Sequence, residues 1–193
     1  MVTVYAPRNQ AQAMIERVVR MHTQVRGQTP DGAAYEANDP HLLNWVQATA
    51  VFGFTQAYDR YVQQLSAAEK NAAFQEAQAS AILYGALGLP HSWSEWEGLL
   101  HTMSTELEPH SILEEFLHTM VHANIFPRPM HWLQKLLVKA AVDLTPEPVR
   151  SMAQLQPFAI KPAERAGVRT LAIAARWLPI PQLPPSQARK RMR

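Results

Sequence analysis

The sequence predicts an all-α protein, on three observations. Apolar residues recur at helical spacing through most of the chain; proline, glycine and capping signatures cut that pattern into helix-length pieces; and no stretch carries the alternation of a convincing strand. With 193 residues, 47% hydrophobic and 18% charged, the chain is long and apolar enough for one well-packed domain.

The first helix is expected from near Asn9 to Gly27, where glycine would stop it in the left-handed conformation. On it Ile15, Val18, His22 and Val25 fall at helical spacing, so the His22 imidazole is expected among core side chains. Pro30-Asp31-Gly32 then reads as a turn. Asp39 and Pro40 start a second helix, the aspartate accepting from first-turn amides and the proline filling a position that needs no N–H donor. Along that helix to Leu65, Leu43, Val46, Ala50, Phe54, Ala57 and Tyr61 form one stripe, widened by Leu42, Trp45, Thr49 and Phe52. A helix apolar over so much of its circumference should lie centrally.

Ser66-Ala-Ala-Glu69 is a capping box opening a third helix to about Gly85 or Gly88, and Ser92-Trp-Ser-Glu95 repeats the signature before Trp96, Leu99, Leu100 and Met103. Pro109 separates that helix from one over residues 111–124, and the prolines at 127 and 129 separate this from one over His131 to Leu144. A short helix follows to Leu155. Lys161-Pro-Ala-Glu164 begins the last, with Val168, Leu171, Ala175 and Leu178 as its inner stripe. Residues 1–178 are read as the helical domain and 179–193 as a proline-rich basic tail, expected to be extended and then disordered.

Composition removes several function classes. Without cysteine there are no disulfides, iron–sulfur clusters or thiolate nucleophiles, which fits a reducing cytoplasm. Four of the cations behind the net charge of +2 sit in the tail, so the body offers no basic surface for nucleic acid. No apolar run reaches the roughly 20 residues of a membrane span. Gly-x-Ser-x-Gly and phosphate-binding glycine loops are absent. Trp45, Trp93, Trp96, Trp132 and Trp177 read as packing residues, one of which could flank an apolar substrate.

Two histidine arrangements remain. An inward His22 suits either a hydrogen-bonded core residue or a haem or metal ligand. Glu114, His118 and His122 lie four apart on one helical stripe, which suits either a polar face or a metal site in a helical bundle.

The string Val18, His22, Val25, Gly27, followed by Tyr35, Ala37, Asp39, Pro40, Leu42, Leu43, Trp45 and Val46, resembles the MpaB-type oxygenases, the family that includes the latex-clearing rubber oxygenases. The likeness reaches Gly88-Leu-Pro90 and fades beyond about Leu107. It implies a globin-like helical fold, a haem b cofactor with His22 as proximal iron ligand, and oxidation of an apolar, isoprenoid-like substrate by dioxygen. Arg26, Trp45, Gln47 and Thr49 are the pocket residues it suggests. Gln47 departs from the family, which has histidine there; glutamine neither shuttles protons near neutrality nor binds iron comparably. The family also carries an earlier portion with a His-Pro segment and an Arg-x-x-x-Thr motif. The chain is therefore expected to correspond to the C-terminal part of the family domain, completed by a homo-oligomer or a separate N-terminal partner. A haem-free interaction protein or subunit derived from the family is the competing reading, and a metal-binding helical bundle the third.

Overall fold

The order of elements follows from where helices can start and stop. The computed structural model describes residues 5–29, 32–123 and 125–177, with Ser186, Gln187 and Lys190; apart from those three residues, the proline-rich tail, like Leu178, lies outside the description. Within it the helices are α1 Arg8–His22, α2 Pro40–Tyr61, α3 Ala67–Leu83, α4 Trp93–Ser104, α5 Ser111–His122, α6 His131–Leu144, α7 Glu147–Met152 and α8 Pro162–Trp177. Two short 3-10 turns, Arg128–Met130 and Gln156–Phe158, lead into α6 and follow α7. The protein is all-α except for a hairpin, β1 Arg26–Gln28 against β2 Ala34–Glu36, antiparallel with Gly27 opposite Tyr35.

That hairpin corrects the first helix. It ends at His22, not Gly27, and the chain turns through Thr23 and Gln24 into β1. Gly27 does not stop a helix: a Cβ there would lie 2.9 Å from the Tyr35 hydroxyl, so glycine is what lets the tyrosine lie across the opposite strand. The turn closes with Thr29 N–H donating to Ala33 O and Gly32 N–H to Thr29 O; Gly32 has φ +87°, while Pro30 and Asp31 fall outside the described residues.

The expected starts of α2 and α3 hold. Asp39 accepts from His41 N–H at 2.7 Å ahead of Pro40. Ser66 and Glu69 make the reciprocal capping box, Glu69 N–H to Ser66 Oγ and Ser66 N–H to Glu69 Oε2. At α4 the box is modified: Ser92 Oγ accepts from Glu95 N–H, but Glu95 Oε2 takes the His91 N–H. Gly85, at φ +86°, ends α3 in a Schellman turn, with Ala86 N–H on Ala81 O and Gly85 N–H on Ile82 O.

Helix α2 is central, packing on α3, α4, α6 and α8. Its expected stripe holds at its ends, where Leu43 and Tyr61 are buried, and fails between them, where Val46, Ala50 and Phe54 are exposed. Leu43, Ala48, Thr55 and Tyr61 are buried, whereas Val46 (57% exposed) and Phe54 (80%) face outward. A helix apolar all round has no preferred face of its own, so its neighbours choose which side is covered.

The interior has three parts. Leu43, Ala48, Phe74, Ala81, Ala86, Leu89 and Trp96 form the first, between α2, α3 and α4. Tyr61, Ala140, Ile160 and Val168 tie α2 to α6 and α8, and Leu117, Val138, Val142 and Leu155 tie α5 to α6. On α8 the inner line is Val168 and Ala172; Leu171 and Ala175, expected inside, are exposed. Trp132 is likewise exposed, not a packing residue. No helix among the described residues is long and apolar enough to cross a membrane.

Candidate functional site

His22 closes the last turn of α1. Its ring is half-buried and makes no hydrogen bond or ion pair among the described residues. The segment entering α2 clasps this turn on either side of the histidine. Ala37 N–H donates to Val25 O at 2.9 Å, and Asn38 Nδ2 donates to Val19 O at 3.3 Å. Asn38 Oδ1 is buried without a donor. This turn thus carries one imidazole without a bond among the described residues, and the adjoining segment one buried acceptor without a donor. A histidine with no competing bond among the described residues has the donor chemistry that a haem iron takes. The remainder of α1 is thinly covered: Ile15 is its one buried residue, and Met21 and Val25 are half exposed.

The other sequence-derived pocket residues separate. Trp45 and Thr49 open onto an apolar groove of about 560 Å³ between α2, α4 and the junction of α6 with α7. Phe52, Phe54, Trp96 and Leu100 form one wall, and Ala141, Leu144, Pro146 and Val149 the other. Rigid aromatic packing holds this wall in place. Trp96 is buried and stacks on Trp45 at 5.6 Å and on Phe52 at 4.8 Å between centroids, with Phe74 behind it at 6.5 Å. The Thr49 hydroxyl donates back to Val46 O, so its hydrogen is committed to the helix. Arg26 instead lines a shallow polar cavity with Tyr35, Glu36 and Asp39. Gln47 is half-buried on α2, and it and His22 line neither cavity. The structure therefore joins Trp45 to Thr49 and leaves Arg26, Gln47 and His22 apart from them.

His118 and His122 do come together, their rings stacked at 4.1 Å between centroids. Glu114 lines a different cavity, with His110 and Leu117. Among the described residues no three histidine, aspartate or glutamate side chains gather to hold a metal ion.

Sequence reasoning missed a charged knot beside the groove. Asp143, with its side chain 4% exposed, accepts from Arg165 Nε and Nη2 at 3.0 and 2.6 Å and from the Tyr61 hydroxyl at 3.0 Å, with Arg60 Nε 3.5 Å away. Burial alone would push this carboxyl up, but the hydrogen bonds from Arg165 and Tyr61 and the charges of Arg165 and Arg60 outweigh it and hold it below the ordinary carboxylate value. Burial first, then the charge of Asp143, pushes the Tyr61 phenol up to about 12. No local motif announces these partners, which sit on three helices.

A profile of the family described as "ER-bound oxygenase mpaB/B'/Rubber oxygenase, catalytic domain" matches residues 1–177. Comparison with curated proteins and with solved structures returns no match.

Proposed function

The chain belongs to the mpaB/rubber oxygenase catalytic-domain family, and we propose that it serves a haem-b-dependent oxidation of an apolar alkene, with His22 as the imidazole that would hold the iron and the groove beside Trp45 and Thr49, which His22 does not line, as the seat for the hydrocarbon chain flanking the reacting bond. The observation that carries this reading is the groove itself: Trp45 and Thr49, two of the suggested pocket residues, open onto a surface with one largely aromatic wall and one aliphatic wall. Such a lining favours a hydrocarbon and offers it no charge. Bound haem b would supply dioxygen activation, the two oxygen atoms ending on the two carbons of a cleaved double bond as carbonyls.

The chain's own residues would bind and orient. Trp45, Phe52 and Trp96, packed through Trp96, would offer the hydrocarbon chain an aromatic wall, and Leu144, Pro146 and Val149 would exclude water from the opposite side. Asn38 Oδ1, on the segment bonded to α1, has no donor of its own; if it took the His22 ring N–H, the second ring nitrogen would be left unprotonated for the iron.

Oxygen uptake by haem-supplemented protein given an isoprenoid alkene, with analysis for carbonyl products, tests the proposal. Turnover is expected, and Ala141→Trp, which fills the groove, should lower kcat/KM about tenfold, a loss of ~1.4 kcal/mol of transition-state stabilisation. Haem-loaded protein that consumes no oxygen, or that ignores Ala141→Trp, contradicts it.

One observation favours the haem-free reading. Val46, Phe54 and Tyr58 make an exposed apolar line along α2, as a protein-binding surface would. On that reading the chain elutes as an oligomer or complex that Phe54→Glu dissociates, and haem is not taken up.

A further inference from the structure

We propose that the exposed pair His118 and His122 on α5 is a two-imidazole site for a borderline divalent cation such as Zn²⁺, Ni²⁺ or Cu²⁺. The two rings lie one helical turn apart on a continuous helix and stack at 4.1 Å between centroids, with an interplanar angle of 29°. The His122 Nδ1 sits 2.8 Å from the His118 carbonyl oxygen. A carbonyl oxygen can only accept, so Nδ1 is the protonated nitrogen, and the neutral ring carries its free lone pair on Nε2. One ligand is thereby held in the tautomer that a metal needs, by a backbone bond of the kind that orients metal-bound histidines.

The His118 ring has no hydrogen bond among the described residues, and both side chains are open to solvent. Imidazole nitrogens bind such metals at ~2.0–2.1 Å. Two of them around one ion have their ring centroids ~5 Å apart, so the rings, stacked at 4.1 Å, would splay until their free nitrogens converge on the ion, a side-chain rotation that their exposure leaves open.

Ligand type sets the class of cation. Two nitrogens with no carboxylate select zinc, nickel or copper over magnesium or calcium. Glu114, one turn earlier, lines the cavity beside His110 and Leu117, and no third protein ligand joins the pair among the described residues. Water completes the coordination. Joining two imidazoles on one rigid turn makes the second contact intramolecular, which strengthens binding by ~100-fold over a single ring. This site uses neither His22 nor the apolar groove, so it stands or falls separately from the oxygenase reading.

The test is calorimetric titration of the full purified chain with zinc chloride, repeated on His118→Ala, His122→Ala and, as a control, His110→Ala, with circular dichroism to confirm that each retains its helices. One zinc ion per chain is expected at the pair. Its affinity should fall ~100-fold in either pair variant and stay unchanged in the control, and ring-nitrogen resonances of His118 and His122 should shift together in nitrogen-15 spectra. No saturable zinc uptake, or uptake at wild-type affinity in both pair variants, overturns the site.

Discussion

Asp143 shows how one buried carboxylate can join three helices. It takes both Arg165 nitrogens and the Tyr61 hydroxyl, so removing its charge leaves a guanidinium and a phenol without their partner. Asp143→Ala is expected to cost about 1–3 kcal/mol in chemical denaturation at neutral pH, less than a fully buried pair because Arg165 and Arg60 are 39% and 44% exposed and the Tyr61 hydroxyl keeps the Ala140 carbonyl. The sign with pH follows from the lowered carboxyl. A folded-state value below the unfolded one, ~3.9, gives stability that is complete above the unfolded value and is lost as pH falls below ~4 through the folded value. Tyr61 works in the opposite direction. Its phenol is raised to about 12, so its contribution is complete below the unfolded value of ~10 and disappears as pH rises from there to about 12. Tyr61→Phe should lower stability by ~1 kcal/mol at pH 7 and remove this alkaline component, measured by urea denaturation at several pH values. Trp96, 2% exposed and stacked on two aromatic neighbours, should cost ~3–5 kcal/mol as Trp96→Ala.

At the scale of elements, what the sequence disclosed was whatever depends on near neighbours in the chain. Ser66 with Glu69 and Asp39 with Pro40 could be read because a cap involves residues two or three apart. Ser66→Ala should accordingly lower the melting temperature through a loss of ~1 kcal/mol. The hairpin escaped notice because its strands are three residues long and largely exposed, and so carry no alternating pattern. The outward side of α2 escaped for the opposite reason: apolar residues surround the helix, and the pattern does not distinguish the covered side from the bare one. A longer-range lock appears after α3. Asn44 Oδ1 accepts the Gly88 N–H at 2.8 Å, and a Cβ at Gly88 would fall 2.6 Å from Asn44 Nδ2. Gly88→Ala is therefore expected to break this tie between α2 and the α3–α4 loop, costing ~1–3 kcal/mol and speeding amide exchange over residues 86–90.

For the whole molecule, the groove is a product of tertiary packing. Trp45 and Thr49 were readable as pocket candidates from the motif, but Ala141, Leu144, Pro146 and Val149 come from an element nearly a hundred positions later. Nothing in their local sequence marks them as its second wall. Likewise the motif singled out His22 and Val25, while the bonds that the Val19 and Val25 carbonyls accept from Asn38 and Ala37, and the orphaned Asn38 oxygen, exist only because the segment before α2 folds against α1. Family membership rests on the profile match, whereas His22 and the apolar groove lie apart in the fold and are joined only by the proposed chemistry. The most direct measurement is the ultraviolet–visible titration of the purified chain with haem, beside His22→Ala. For the haem reading, stoichiometric uptake is expected, with a Soret band that the substitution abolishes while the helical circular dichroism is retained. Failure of the folded chain to take up haem, or a Soret band unchanged in His22→Ala, would contradict it.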